Sequence, residues 1–439
     1  MEQGHSGIFA LASGAGRGAI AIIRVSGPRC DLALRQIAGA MPDPRMAALR
    51  RLRHPRTGEM LDRALLLWFP GPASFTGEDA AELQIHGGPA VVAAVCDALV
   101  SAGCRPAEPG EFSRRAFLNG RLDLTAAEGI ADLIAAETEA QRKAALRQAE
   151  GGLGAVLAAW DRRLMKLLAH QEAAIEFADE GDVPGDLSAS VVDGASALAV
   201  EIAEHLRQGE RATRLREGVR IVILGAPNVG KSSLLNRLAR SDAAIVTDQP
   251  GTTRDVIDVR LDLAGVPVTL SDTAGLREAA DMIEAEGMRR ARQRAAHADL
   301  ILMMTAQGIA EDPAMQPPAD VSVLHVHNKI DLAGSQEQRP HCLGVSTLTG
   351  AGIETLEAAL TETVQRIAGI TDAATISRPR HRAALIEARD WLREAVVAPL
   401  PELSAEALRG ARRAIGRLTG HSGVDAVLDS IFRDFCIGK

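Results

Sequence analysis

Apolar residues along this chain follow three rhythms, and each predicts a different kind of element. Residues 219–224 (VRIVIL), 299–304 (DLILMM) and 321–326 (VSVLHV) are short and mostly apolar. Such runs read as strands covered on both faces, as in a parallel sheet. Residues 20–25 (IAIIRV), 64–69 (ALLLWF, ended by Pro70-Gly71-Pro72), 82–86 (ELQIH, closed by Gly87-Gly88-Pro89) and 268–271 (VTLS) also read as strands. Helical spacing marks residues 91–100, with Pro89 suited to a helix start, and residues 233–238. It also fills residues 121–215, where Leu157, Trp160, Leu164, Leu167 and Leu168 form one apolar stripe expected to be bundle core. Gly181 to Asp186 interrupts that pattern as a turn, and residues 308–319, with three prolines, read as a loop.

The order of these rhythms predicts α/β plus all-α architecture. Residues 1–120 are expected to form an α/β domain, and 216–370 a second α/β domain of alternating strands and helices. Residues 121–215 and 371–439 are both helical, so the second α/β domain reads as an insertion into a helical bundle, made at an exposed turn.

Composition narrows the class. The 439 residues are 46% hydrophobic and 24% charged, which is ordinary for a globular protein. No apolar run approaches the roughly 18 residues of a membrane span, and the first residues (MEQGH) show no signal-peptide core, so a cytoplasmic location is expected. Five cysteines without a C-x-x-C pair suggest reduced thiols. A net charge of −8 argues against a whole-surface attraction to nucleic acid and leaves only a local basic patch for that purpose.

The chemistry is concentrated in the second α/β domain. Gly225 to Ser233 (GAPNVGKSS) fits G-x-x-x-x-G-K-[ST] and lies between a predicted strand and a predicted helix, the context a phosphate loop requires. Its N–H groups and the new helix end can cradle phosphates, Lys231 can reach the β- and γ-phosphates, and the Ser232 hydroxyl can hold Mg²⁺. Ser13 to Gly18 (SGAGRG) lacks the lysine–hydroxyl pair and reads as a flexible turn.

Base choice rests on residues 328–331 (NKID), which directly follow an apolar run. The Asp331 carboxylate can accept both N1–H and the 2-amino group of guanine, a pattern adenine lacks, and an unmatched buried polar group is costly. Asp272-Thr273-Ala274-Gly275 ends the strand at 268–271 and suits a metal's water shell and a γ-phosphate. Residues 247–255 (TDQPGTTRD) offer hydroxyls for Mg²⁺ between the first helix and the next strand.

The order G-x-P-N-x-G-K-S, D-x-P-G-T-T-R-D, D-T-A-G and N-K-x-D resembles the GTPases typified by the Era family. Residues 75–79 (FTGED), 109–119 (PGEFSRRAFLN) and 435–439 (FCIGK) narrow this to a similarity with the MnmE (TrmE) family of tRNA modification GTPases, spanning essentially the whole chain.

That resemblance implies an N-terminal folate-binding domain that also dimerises the protein, a helical domain, and an inserted Ras-like G domain. It implies joint action with a FAD-containing partner, MnmG. The pair adds a carboxymethylaminomethyl or aminomethyl group to carbon 5 of the wobble uridine of certain tRNAs. The one-carbon unit comes from 5-formyl-tetrahydrofolate or another tetrahydrofolate derivative. It implies K⁺ in place of an arginine finger, with Asn228, Thr247, Gln249 and Thr252 matching the potassium site, and Mg²⁺ on Ser232 and Thr253. A cation at the β–γ bridge offsets charge that develops in the transition state.

The guanine-nucleotide set is Asn228, Val229, Gly230, Lys231, Ser232, Ser233, Thr247, Asp248, Gln249, Pro250, Gly251, Thr252, Thr253, Asp272, Thr273, Ala274, Gly275, Asn328, Lys329, Asp331, Ser346, Thr347 and Leu348. Leu276 stands where many small GTPases carry a water-orienting Gln, and Glu284 matches the family's catalytic glutamate. The folate set is Arg24, Glu82, Arg121 and Lys439; Arg121 departs from the lysine more usual there, and the Ser346-Thr347 pair departs from Ser-Ala. Cys436 lies in the family's tail, either as a nucleophile or as a structural thiol. Two other classes compete: an Era-type assembly module that binds ribosomal RNA without folate, and a folate enzyme whose G domain is vestigial.

Overall fold

The computed structural model describes residues 6–176, 186–241, 243–245, 258–272, 293–310, 316–332, 341–369, 376–420, 428, 431–433, 435 and 438. The chain divides into two compact units. One comprises Met1–Ala131, Gln148–Arg162 and Arg412–Lys439; the other comprises Asp132–Arg147 and Arg163–Ala411.

The first unit is built on a sheet of β1 (Ile8–Leu11), β2 (Ile20–Ser26), β3 (Ala48–Arg53), β4 (Met60–Phe69), β5 (Ala80–His86) and β6 (Arg105–Pro106), in the order β3-β4-β5-β2-β1-β6. All neighbours are antiparallel except β1 and β6. Side chains alternate between faces. Ile23, Val25, Leu83 and Ile85 point into a core closed by Leu34 and Ile37 of α1 (Cys30–Ala38) and Val95 and Leu99 of α2 (Pro89–Ser101). The register pairs Ala10 with Arg24, Arg24 with Glu82, and Glu82 with Leu67, so these four form one row on the opposite face. Phe112 of α3 (Glu111–Leu118) packs with Ile8 and Ala10. Leu124 and Ala127 of α4 (Leu124–Ala135) form a further cluster with Leu428, Phe432 and Phe435.

The strands predicted at 20–25, 64–69 and 82–86 are present and longer by one to four residues. β1 and β3 were not legible. β1 has four residues, and β3 (ALRRLR) buries only Leu52, so neither carries a periodic signal.

Helices α5 (Glu139–Ala149), α6 (Gly152–Glu176) and α7 (Asp186–Glu217) follow. Leu157, Trp160, Leu164 and Leu167 of the predicted stripe are buried and Leu168 is half-buried. The turn expected at 181–186 lies outside the described residues, apart from Asp186 at the start of α7.

The second unit holds a sheet of β7 (Val219–Leu224), β8 (Asp258–Leu263), β9 (Val266–Asp272), β10 (Leu300–Ala306), β11 (Ser322–Asn328) and β12 (Cys342–Gly344). Its order is β12-β11-β10-β7-β9-β8, parallel except for the β8–β9 pair. β7 is central. Val219, Ile221 and Ile223 enter one core and Val222 and Leu224 the other, which is why its run is apolar at nearly every position. Helices α8 (Lys231–Leu238) and α9 (Ile353–Ala368) place Leu234, Leu235, Leu356 and Leu360 in the first of these cores. α10 (Pro379–Val397) packs on α7, and α11 (Pro401–Thr419) follows. No helix among the described residues is long and apolar enough to cross a membrane.

Candidate functional site

In open α/β sheets, ligands bind beyond the carboxyl ends of the strands, where successive connections leave in opposite directions. β7 is such a strand, with β9 on one side and β10 on the other. The loop after it opens at Gly225, whose backbone (φ 151°) runs so near β10 that a Cβ would lie 2.3 Å from the Met304 carbonyl oxygen. Asn228 is left-handed (φ 65°), a conformation that short amide side chains tolerate. Gly230 (φ 101°) starts α8 as its N-cap.

Lys231 is 6% exposed, and its ammonium donates to the carbonyl oxygens of Gly225 (2.8 Å) and Ala226 (3.0 Å). The amine is thus desolvated and held inside the loop. Ser232 Oγ donates to Asp272 Oδ2 at 2.6 Å, joining the helix start to the end of β9. A hydroxyl beside a buried carboxylate is an all-oxygen donor pair, which suits a hard cation such as Mg²⁺. Asn228, Val229 and Ser233 are carried by the same loop and helix start.

The residues expected to select the base converge from the ends of β11 and β12. Asn328 is fully buried at the end of β11. Its Nδ2 donates to the Val229 carbonyl oxygen (2.7 Å) and to Thr347 Oγ1 (3.3 Å), and its Oδ1 accepts from the Thr347 N–H (3.1 Å). One amide therefore ties the phosphate loop to the loop that follows β12. Ser346, also fully buried, donates its hydroxyl to Asp331 Oδ1 at 2.5 Å and accepts from the Thr349 N–H. Asp331 is exposed, with one carboxylate oxygen held and the group aimed by that bond. Lys329 is left-handed (φ 67°) and half-buried, and Leu348 is 81% exposed. The Thr347 hydroxyl, on the residue that departs from Ser-Ala, takes part in the bridge from Asn328.

Thr247, Asp248, Gln249, Pro250, Gly251, Thr252, Thr253, Thr273, Ala274, Gly275, Leu276 and Glu284 lie outside the described residues, as do Cys436 and Lys439.

The first unit contains a cavity of about 220 Å³ on the sheet face that carries Arg24 and Glu82. Arg24 Nε and Nη2 both donate to Glu82 Oε1 (3.1 and 2.9 Å), and Nη1 lies 3.5 Å from the Gly438 carbonyl oxygen. The guanidinium sits 5.7 Å from the Phe75 ring centre and 6.0 Å from that of Phe112, so a cation and two rings share the wall. Arg121 is exposed, lies beside Gly77 and is not among the lining residues. Phe75 and Phe112 fall within the FTGED and PGEFSRRAFLN stretches, and that was their only sequence signal.

A partly buried ionic network supports this wall, with Arg115 and Glu111 buried at its centre. Arg115 donates to Glu78 Oε2 (3.0 Å) and to Glu111 Oε1 (3.0 Å from Nη2), and Arg105 grips the same Glu111 through both Nη atoms (2.8 and 2.6 Å). Burial pushes the Glu111 carboxyl up, but the bonds from Arg105, the Glu108 N–H and Arg115 outweigh it and hold Glu111 below the usual carboxylate range. The Thr76 hydroxyl lies 2.7 Å from Ser26 Oγ, and its carbonyl accepts from Asn119, which pins the loop that carries Phe75.

Two family models cover most of the chain: GTP-binding protein TrmE N-terminus over residues 7–121 and MnmE helical domain over residues 124–436. The chain is 54% identical over 452 residues to the tRNA modification GTPase MnmE of Rhodospirillum rubrum, covering 98% of this chain and 99% of that protein. The chain belongs to the MnmE family of tRNA modification GTPases. Similarity to the MnmE proteins of Granulibacter bethesdensis (52% over 437 residues; 98% of this chain, 99% of that one) and Methylorubrum populi (55% over 438 residues; 98% of each) is as extensive. In this MnmE family member, the phosphate loop and the Asn328–Thr347 bridge lie together in the second unit, and the Arg24 cavity lies in the first.

Proposed function

We propose that this chain hydrolyses GTP and, with the FAD-containing protein MnmG, modifies carbon 5 of the wobble uridine of certain tRNAs, using a one-carbon unit from a tetrahydrofolate derivative. The observation that carries the guanine assignment is the Asn328 amide. It links the loop holding Lys231 to the loop whose Ser346 aims Asp331, so phosphate and base recognition rest on one hydrogen-bonded unit. Asp331 would accept the guanine N1–H and 2-amino group, and ATP offers no matching donors.

Lys231 would exchange neutral carbonyl acceptors for phosphate oxygens. Ser232 and Thr253 would hold Mg²⁺, which supplies charge neutralisation at the phosphates when bound. Asn228, Thr247, Gln249 and Thr252 would hold K⁺, and Glu284 would orient the attacking water. In the first unit, Arg24 and Glu82, with Arg121 and Lys439, would take the tetrahydrofolate derivative. The cavity is smaller than the roughly 300–1,000 Å³ of a pocket for a whole ligand, so it would enclose one ring system and leave the remainder outside. The three-part layout of 1–120, 121–215 with 371–439, and 216–370, homodimerisation and a cytoplasmic location complete this proposal.

GTP turnover measured in K⁺ and in Na⁺ at equal ionic strength tests the cation: equal rates reject it. Glu284→Ala should cut turnover and leave GTP affinity nearly intact. Calorimetric titration with 5-formyl-tetrahydrofolate should give heat with the native chain and none with Arg24→Ala. Nucleoside mass spectrometry of tRNA from cells lacking the protein should show the wobble uridine unmodified, and unchanged nucleosides would defeat the assignment.

A further inference from the structure

A second cavity, of about 510 Å³, opens in the second unit where the end of α7 meets the end of α9 and the start of α10. Arg211, Arg214, Arg378 and Arg382 line it, with Glu210 the one carboxylate among the described lining residues. Arg211 and Arg214 stand three apart on α7 and so share a face. Arg378 is the N-cap residue of α10, and Arg382 lies one turn further on.

Two of these cations are anchored. Arg214 lies 3.0 Å from Asp299, whose side chain is 4% exposed, and Arg378 lies 2.6 Å from Asp132. Neither aspartate lines the cavity. Arg382 pairs with Glu210 at 2.9 Å, but both side chains are open to water, and such a pair contributes little. Arg211 has no carboxylate within ion-pair distance among the described residues, and its stem lies against Gly369. Three of these guanidinium groups each meet one carboxylate and Arg211 meets none among the described residues, so the four concentrate positive charge in one concavity. They do so in a chain whose net charge is −8.

A concave wall with charge of one sign concentrates counter-ions of the other. The guanidinium fork matches phosphate geometry. No aromatic side chain lines the cavity among the described residues, so it offers no platform for stacking a base. Its chemistry is that of backbone contact, which positions a nucleic acid without reading its sequence. We propose that this cavity holds backbone phosphates of the tRNA on which the protein acts. This rests on the tRNA role proposed above and assigns it a surface.

The test is binding of the full chain to an unmodified tRNA transcript, followed by fluorescence anisotropy at several salt concentrations. Arg211→Ala combined with Arg382→Ala should weaken binding by about tenfold or more at low salt. It should also reduce the slope of log K against log[salt] by about 1.5, since each phosphate contact contributes roughly 0.7–0.9. Arg211→Lys should keep most of the slope because it keeps the charge. Both altered residues are largely exposed, and an unchanged thermal midpoint checks the fold. A double variant with native affinity and slope, beside a native chain that binds tRNA, overturns the cavity assignment alone. A native chain that binds no tRNA overturns the tRNA role as well. Displacement of tRNA by millimolar inorganic phosphate at matched ionic strength would show a small-anion pocket and also reject the proposal.

Discussion

Replacing Asn328 by Ala should uncouple the two halves of the nucleotide site. The side chain is fully buried and makes three hydrogen bonds, at 2.7, 3.1 and 3.3 Å. Truncation strands the Val229 carbonyl, which is buried, and the Thr347 N–H, which is partly buried. A buried polar group left without a partner costs about 1–3 kcal/mol, with the lower end for groups that water can reach. The sum is about 3 kcal/mol, on the order of a hundredfold in an equilibrium constant. Most of it should appear as lost GTP affinity, because the two loops the amide joins are the ones that would hold phosphate and base. Titration of a fluorescent GTP analogue measures it, with circular dichroism as the check on fold. Thr347→Ala removes only the 3.3 Å contact and should weaken binding less than fivefold. Asn328→Ala binding GTP within threefold of the native chain would refute the coupling, whatever the change in stability.

Gly230→Ala should abolish GTP binding in a folded chain, because the added Cβ would stand 2.2 Å from Asn328 Nδ2 at a φ of 101°; nucleotide titration and a thermal melt separate the two effects. The Glu111 carboxyl has a folded pKa below its ordinary value of 4.5, so its stabilising effect is complete above that value and is lost as pH falls through the folded pKa. Melting midpoints should therefore drop as the pH is lowered below about 4.5, and Glu111→Gln, though less stable at neutral pH, should show a smaller drop. Burial pushes the Cys104 thiol to about 11 and raises Cys30 well above its ordinary value, so at pH 8 neither should react with iodoacetamide before the chain unfolds. Mass spectrometry of the labelled peptides checks this.

The phosphate loop was legible because a continuous apolar run, a glycine pattern and helical spacing all fall within some twenty residues of chain. β7, the loop and α8 follow in that order. The strands at 20–25 and 82–86 were legible too, but their register was not, and the register is what sets Arg24 against Glu82. The Glu78–Arg115–Glu111–Arg105 network and the arginine cavity were illegible for one reason: their members are separated along the chain and acquire meaning only when distant elements meet. Arg121, which resemblance grouped with Arg24, is exposed and is not among the residues that line the cavity.

Residues Arg412–Lys439 belong to the same compact unit as Met1–Ala131. Phe432 and Phe435 pack beside Leu124, and the Phe432 carbonyl oxygen lies so near Gly110 that a Cβ there would approach it to 2.5 Å. During synthesis, the sheet at the amino end must therefore wait for some 280 further residues before its last partners leave the ribosome. At about 5–20 residues per second, that delay is tens of seconds. Throughout it, the apolar side of α4 lacks its final cover.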